Sequence, residues 1–260
     1  MRVLITVKTY PTPSTKYSEL VCTAGIIPDE DFIRMFPVQL RDLPYDQWFS
    51  KYDWVDVLIE LRGKQDKRPD SYRPLRDSIG IAGHVDTSNG WAERKRLVLP
   101  HAAQSLEALD HERRSNDGPS LGVFRPAEIL DFDWTPVERE WTAADHAKLT
   151  QRNLFGRDRT PLQKLPFEFR YTFRCDDPRC KGEHHMMILD WELGVLFLNM
   201  REQYGEASAL QKVRDKFLGE LCGADRDTHF FVGTTHYPIE SWVIIGVFWP
   251  PKAPQSKLFE

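Results

Sequence analysis

Between Phe167 and Cys175 the chain alternates with period two. Phe167, Phe169, Tyr171, Phe173 and Cys175 fall on one side, and Glu168, Arg170, Thr172 and Arg174 on the other. Successive side chains of a strand point to opposite faces, so this segment buries its aromatic set as a strand with one covered face and one wet face. The following Asp176-Asp177-Pro178-Arg179-Cys180-Lys181-Gly182 is rich in turn formers, and His185 to Leu189 reads as a second strand. The pair is expected to form a hairpin. Asp190 then stands where a helix N-cap would, ahead of Trp191, Val195, Leu198 and Met200. Ser208 reads as the cap of a further helix carrying Leu210, Val213, Phe217 and Leu221. Two strands close the chain, His229 to Gly233 and Trp242 to Phe248, the second apolar on both faces as a central strand is. The order is β-β-α-α-β-β, with helices packed on one sheet.

The first 60 residues also read as strands: Val3, Ile5 and Val7, then Leu20 to Ile27, Phe32 to Val38 and Trp54 to Leu61. Pro11, Pro13, Pro28, Pro37 and Pro44 break these runs and argue against long helices. A curved, mostly antiparallel sheet or partial barrel is expected. Helix is expected from His101 to Arg114, strand again from Ser120 to Phe132, and a short helix from Thr142, where Thr142-Ala143-Ala144-Asp145 has the form of a capping box. The fold class is α+β. A β-rich part spans 1–140, a helix and basic linker 141–165, and an α/β sandwich 166–260.

The 260 residues suffice for a self-sufficient core, and 41% hydrophobic with 28% charged residues excludes wholesale disorder. The net charge of −4 argues against a protein that coats duplex nucleic acid, though not against a local basic patch. No apolar run approaches the ~18 residues of a membrane helix, and Met1 to Lys8 is too short for a signal-peptide core. The chain therefore reads as cytoplasmic, with no membrane partner. A reducing compartment keeps the four cysteines, Cys22, Cys175, Cys180 and Cys222, out of disulfides.

The close pair Cys175 and Cys180 then needs another reading. Cys175-x4-Cys180-x3-His184-His185 sits on the hairpin, and two thiolates around a tight turn with a neighbouring imidazole suit tetrahedral Zn²⁺. His184 and His185 point to opposite faces, so one of them coordinates. Cys222, His229, His236 or Asp177 could supply a fourth ligand. The competing reading is two ordinary cysteines with two surface histidines. Just downstream, Asp190 and Glu192 could hold Mg²⁺ or Mn²⁺ against a phosphate, with His184 or His236 as general base. A nuclease of the Asp…Glu-x-Lys kind wants a lysine two residues after the glutamate, and Gly194 stands there. Capping by Asp190 and dipole complementation by Glu192 alone explain both acids, and this reading is preferred.

Two basic loops, 62–76 and 152–164, offer anion contacts through Lys64, Lys67, Arg68, Arg73, Arg157 and Arg159, and the wet face of the aromatic strand adds Arg170 and Arg174. Solvated loops carry such charge too. Phosphate loops, dinucleotide fingerprints, serine-hydrolase elbows and zincin motifs do not occur. Three expectations follow: a nucleic-acid-associated binding protein with a structural zinc knuckle, a metal-dependent nuclease or phosphodiesterase, or a protein-interaction subunit of a larger complex.

Overall fold

The computed structural model describes residues 1–28, 32–61, 66, 68–115, 118–150, 160–235 and 241–253. Among them, the first half of the chain builds one sheet from β1 (Arg2–Lys8), β2 (Thr12–Ser14), β3 (Ser18–Ile26), β4 (Phe32–Val38), β5 (Asp53–Asp56), β6 (Ile59–Leu61), β7 (Ser71–Pro74) and β8 (Gly80–His84). The strand order is β6-β7-β4-β3-β1-β5-β8, with β2 paired to β3, and all pairs are antiparallel except β4 with β7.

Its curvature follows from chain connectivity. Two residues, Val57 and Leu58, join β5 to β6, and three backbone steps reach at most about 11 Å. The two strands lie five places apart in the sheet, about 24 Å if it were flat. The sheet must curl, and it forms a half-barrel around Val3, Ile5, Ile33, Met35, Val55 and Ile79. The alternating run from Trp54 to Leu61, expected as one strand, is thus divided between β6 at one edge of the sheet and β5 next to the other edge.

The second sheet has the order β11-β12-β13-β15-β14-β10-β9, from β9 (Ala102–Ala103), β10 (Leu121–Phe124), β11 (Glu128–Pro136), β12 (Phe167–Arg174), β13 (His184–Ile188), β14 (His229–Thr234) and β15 (Trp242–Phe248). β10 and β11, which the sequence groups with the first 140 residues, belong to this sheet. The helices are α1 (Ser88–Val98), α2 (Leu106–Arg113), α3 (Ala143–Thr150), α4 (Trp191–Tyr204) and α5 (Glu206–Arg214). The order β12-β13-α4-α5-β14-β15 is the expected one. Thr142 caps α3 by accepting from Asp145 N at 3.1 Å. The helix expected to be capped by Ser208 is capped three residues earlier, at Gly205, which at φ 80° makes the left-handed joint between α4 and α5. No described helix is long and apolar enough to cross a membrane.

The second sheet is covered on both faces. Phe169, Tyr171, Phe173, Phe230, Val232 and Ile244 pack against Leu193 and Phe197 of α4 and Val213 of α5. On the other face Leu121, Phe231, Val243, Ile245 and Phe248 meet Leu4, Val7, Ala24 and Ile26 of the first sheet. This is why β15 is apolar on both sides.

Candidate metal centre

The turn between β12 and β13 is built by Asp177. Its carboxylate accepts from Arg179 N and Nε at 2.8 and 2.9 Å and from Arg179 Nη2 at 2.8 Å. Cys180 N donates to Asp177 O at 2.9 Å. Ser105 Oγ donates to Asp177 Oδ2 at 2.5 Å and accepts from Ala108 N at 2.9 Å. One serine therefore caps α2 and ties the helix start to the hairpin turn. These bonds lower the Asp177 carboxyl below its usual range, the Arg179 side chain contributing most.

That tie brings Glu107 of α2 to the hairpin cysteines. Donor atoms of Glu107, Cys175 and His184 all lie within 4.8 Å of one another. His184 Nε2 is 2.7 Å from Glu107 Oε1 and 3.3 Å from Cys180 Sγ. The His184 ring stacks on Phe173, with centroids 5.0 Å apart. Glu107 Oε2 is buried and meets no partner in hydrogen-bond geometry among the described residues, although the Cys175 and Cys180 thiols lie close enough to bear on the carboxylate. Burial, reinforced by Glu107, pushes the Cys175 thiol up to about 12. A cation at this point would accept the orphan oxygen and favour both thiolates. One sulfur, one imidazole and one carboxylate from two elements converge, with Cys180 Sγ beside the imidazole, and these are donor types that borderline-soft Zn²⁺ takes.

Of the four expected ligands, Cys175 and His184 fall in this group; Cys180 is not part of it, its Sγ lying 3.3 Å from His184 Nε2 and donating to Gly182 O at 3.0 Å. His185 is corrected: it faces the other side of the strand, where its Nε2 lies 2.9 Å from Asp133 Oδ2. The expected sources of a further ligand are engaged elsewhere. Cys222 Sγ donates to Phe217 O at 3.2 Å, His229 Nδ1 lies 2.9 Å from Asp227 O, and Asp177 holds the turn. His236 lies outside the described residues. Glu107, which the sequence alone does not single out, is the further group able to act as a donor here, and its one local signal is a position two residues after a capping serine.

Asp190 and Glu192 sit at the far end of β13. Six residues at about 3.3 Å each put them about 20 Å from His184. Asp190, 3% exposed, caps α4 by accepting from Glu192 N at 2.7 Å. Lys51 Nζ donates to Asp190 Oδ2 at 2.7 Å and to Glu192 Oε2 at 2.9 Å. Burial opposes the Lys51 charge, and the two carboxylates overcome it and raise the ammonium above its ordinary value. Burial pushes Asp190 up against the pull of Lys51, whereas Lys51 holds the more exposed Glu192 down despite desolvation. The absence of a lysine at position 194 has a steric cause. A Cβ there would overlap the Tyr10 ring, so only glycine lets α4 approach that strand end. The ammonium instead arrives from Lys51.

Of the basic candidates, Arg68 is corrected: it is 4% exposed, paired with Asp66 at 2.7 Å and bonded to Thr234 O, so it cannot reach an external phosphate. Arg73 donates to Tyr17 Oη at 3.3 Å. Arg170 pairs with Glu168 at 2.6 Å, and Arg174 with Glu183 at 2.6 Å and Glu128 at 3.4 Å. Lys64, Lys67, Arg157 and Arg159 lie outside the described residues.

Comparison with protein families divides the chain where the structure changes sheet. Residues 1–100, the first sheet with α1, match a model described as a domain of unknown function (DUF8758). Residues 101–260, which hold the second sheet and the Glu107, Cys175 and His184 cluster, match another described as a domain of unknown function (DUF8757). No curated protein matches the chain. The second match covers more than half of the sequence, and the chain belongs to the DUF8757 family.

Proposed function

We propose that this chain is a zinc-binding protein in which the ion clips the β12–β13 turn to the start of α2, and that it acts by binding rather than by hydrolysis. The carrying observation is the convergence of Glu107, Cys175 and His184, whose donor atoms lie within 4.8 Å of one another, with Glu107 Oε2 buried and outside hydrogen-bond geometry among the described residues. A buried carboxylate oxygen without a partner is costly unless a cation takes it. Cys175, Cys180 and His184 come from the hairpin and Glu107 from the helix, so the ion joins two elements otherwise linked here by Ser105 and Asp177.

The acid pair Asp190 and Glu192 supports capping and ion pairing rather than Mg²⁺ or Mn²⁺. A divalent ion there would meet the Lys51 ammonium already lodged between the carboxylates. Elemental analysis of the purified chain tests the proposal. It should contain about one zinc per chain, as a single four-ligand site requires. Cys175→Ser with Cys180→Ser should abolish it, and His185→Ala should leave it unchanged. A metal-free protein whose stability is indifferent to added zinc would defeat the reading.

A further inference from the structure

Two residues inside the clipped turn, Arg179 and Lys181, have no part in the metal site, yet the turn holds both at the rim of one cleft. The cleft, about 360 Å³, lies between α2 and the turn. Glu107 and His184 line it from the metal side, Arg114, Arg179 and Lys181 stand around it, and Trp242 contributes an indole. The cysteines are not among its lining residues, so an ion there would sit with its sulfurs behind and its oxygen and nitrogen ligands toward the cleft.

The charges are unevenly spent. Asp110 Oδ1 and Oδ2 are shared between Arg113 and Arg114 at 3.0 and 2.7 Å, and Asp110 Oδ1 also fixes the Trp242 indole N–H at 3.2 Å. Arg179 is held by Asp177 but remains exposed. Lys181 and His111, both exposed, have no partner among the described residues. Of the lining cations, Arg114 is paired with Asp110 and Arg179 with Asp177 just outside the cleft, so among the described residues Lys181 is the one left to an external anion, with the two exposed guanidiniums beside it.

We infer that the metal-closed turn presents Arg179 and Lys181, with Arg114 opposite, as a receptor for a phosphate group, with Trp242 as a stacking surface for the base of a nucleotide or single-stranded nucleic acid. The inference rests on the zinc reading. A guanidinium is suited to forked contact with phosphate, an ammonium adds a point charge, and an oriented indole accepts any base face. It also assigns the clip a purpose. The cations at 179 and 181 ride on a short turn, and the ion between residues 175, 180 and 184 fixes that turn against α2.

The test uses the full chain, loaded with zinc and again after chelation, titrated with inorganic phosphate, a mononucleotide and a labelled 12-residue single-stranded oligonucleotide. The loaded protein should bind the oligonucleotide with affinity falling roughly twentyfold between 50 and 200 mM salt, as three phosphate contacts on a single strand require. Arg114→Ala with Lys181→Ala should weaken binding at least about tenfold with zinc content unchanged, and chelation should weaken it comparably. Arg170→Ala with Arg174→Ala, on paired residues of β12, should leave it intact. Binding of phosphate and mononucleotide alone would identify a small-molecule ligand as the source of the phosphate. The inference is overturned if the zinc-loaded chain binds none of the three probes, or if the Arg114/Lys181 variant binds as well as the parent. Absence of zinc would instead overturn the clip. If that zinc-free chain still bound through Arg114 and Lys181, the cleft would stand without it.

Discussion

At the residue scale the chain depends on a few long-range polar contacts made in near-dry surroundings. Lys51 is the clearest. It neutralises Asp190, which is almost wholly buried at the junction of the two sheets. Lys51→Met should cost about 3–5 kcal/mol in urea unfolding, because it strands a buried carboxylate. Lys51→Met with Asp190→Asn should recover much of that loss, since the charge is removed with its partner. The sign of the pH dependence is fixed by the shift. The folded ammonium is raised above its ordinary 10.5, so its contribution is fully present below that value and is lost as pH rises through the folded one. The difference in stability between the parent and Lys51→Met should therefore hold from neutrality to about pH 10 and shrink only beyond it. Gly194→Ala should destabilise by about 1–3 kcal/mol, since its Cβ meets the Tyr10 ring. None of this is legible locally. Lys51 and Asp190 are 139 positions apart, and no pattern around either announces the other.

At the scale of elements, local chemistry was informative wherever a segment's own periodicity or cap fixed it. The alternation in β12, the two-sided apolar face of β15, the Asp190 cap of α4 and the Thr142 box of α3 were all readable from neighbouring residues. α1 was not. Asn89, Gly90 and Trp91 all adopt left-handed backbone angles, and the Asn-Gly pair signals a turn where the chain kinks into a helix. The candidate metal centre divides in the same way. The cysteines and histidine sit within ten residues on one hairpin and were readable, whereas Glu107 reaches His184 across 77 positions. The joint between them is Ser105. Ser105→Ala should cost about 1 kcal/mol through the lost cap and should also weaken zinc retention, read by competition with a chelator. Equal zinc affinity in that variant would mean that the helix start is placed without the Asp177 tie.

At the scale of the whole molecule, the two family-matched regions share one core. Phe231, Val243, Ile245 and Phe248 of the second sheet are covered by Leu4, Val7 and Ile26 of the first. Residues 101–260 expressed alone should therefore expose that face and bind a hydrophobic dye, while the full chain unfolds in one transition. A separately folded, dye-silent fragment would show that the sheets are independent units. The central proposal is the zinc clip at the opposite end of β13 from the buried ion triad. X-ray absorption at the zinc edge of the purified full chain tests it most directly. The account predicts two sulfur ligands at about 2.3 Å and two nitrogen or oxygen ligands at about 2.0–2.2 Å, with one light ligand lost or replaced in Glu107→Gln. A shell without sulfur, or one unchanged by Cys175→Ser, would contradict it.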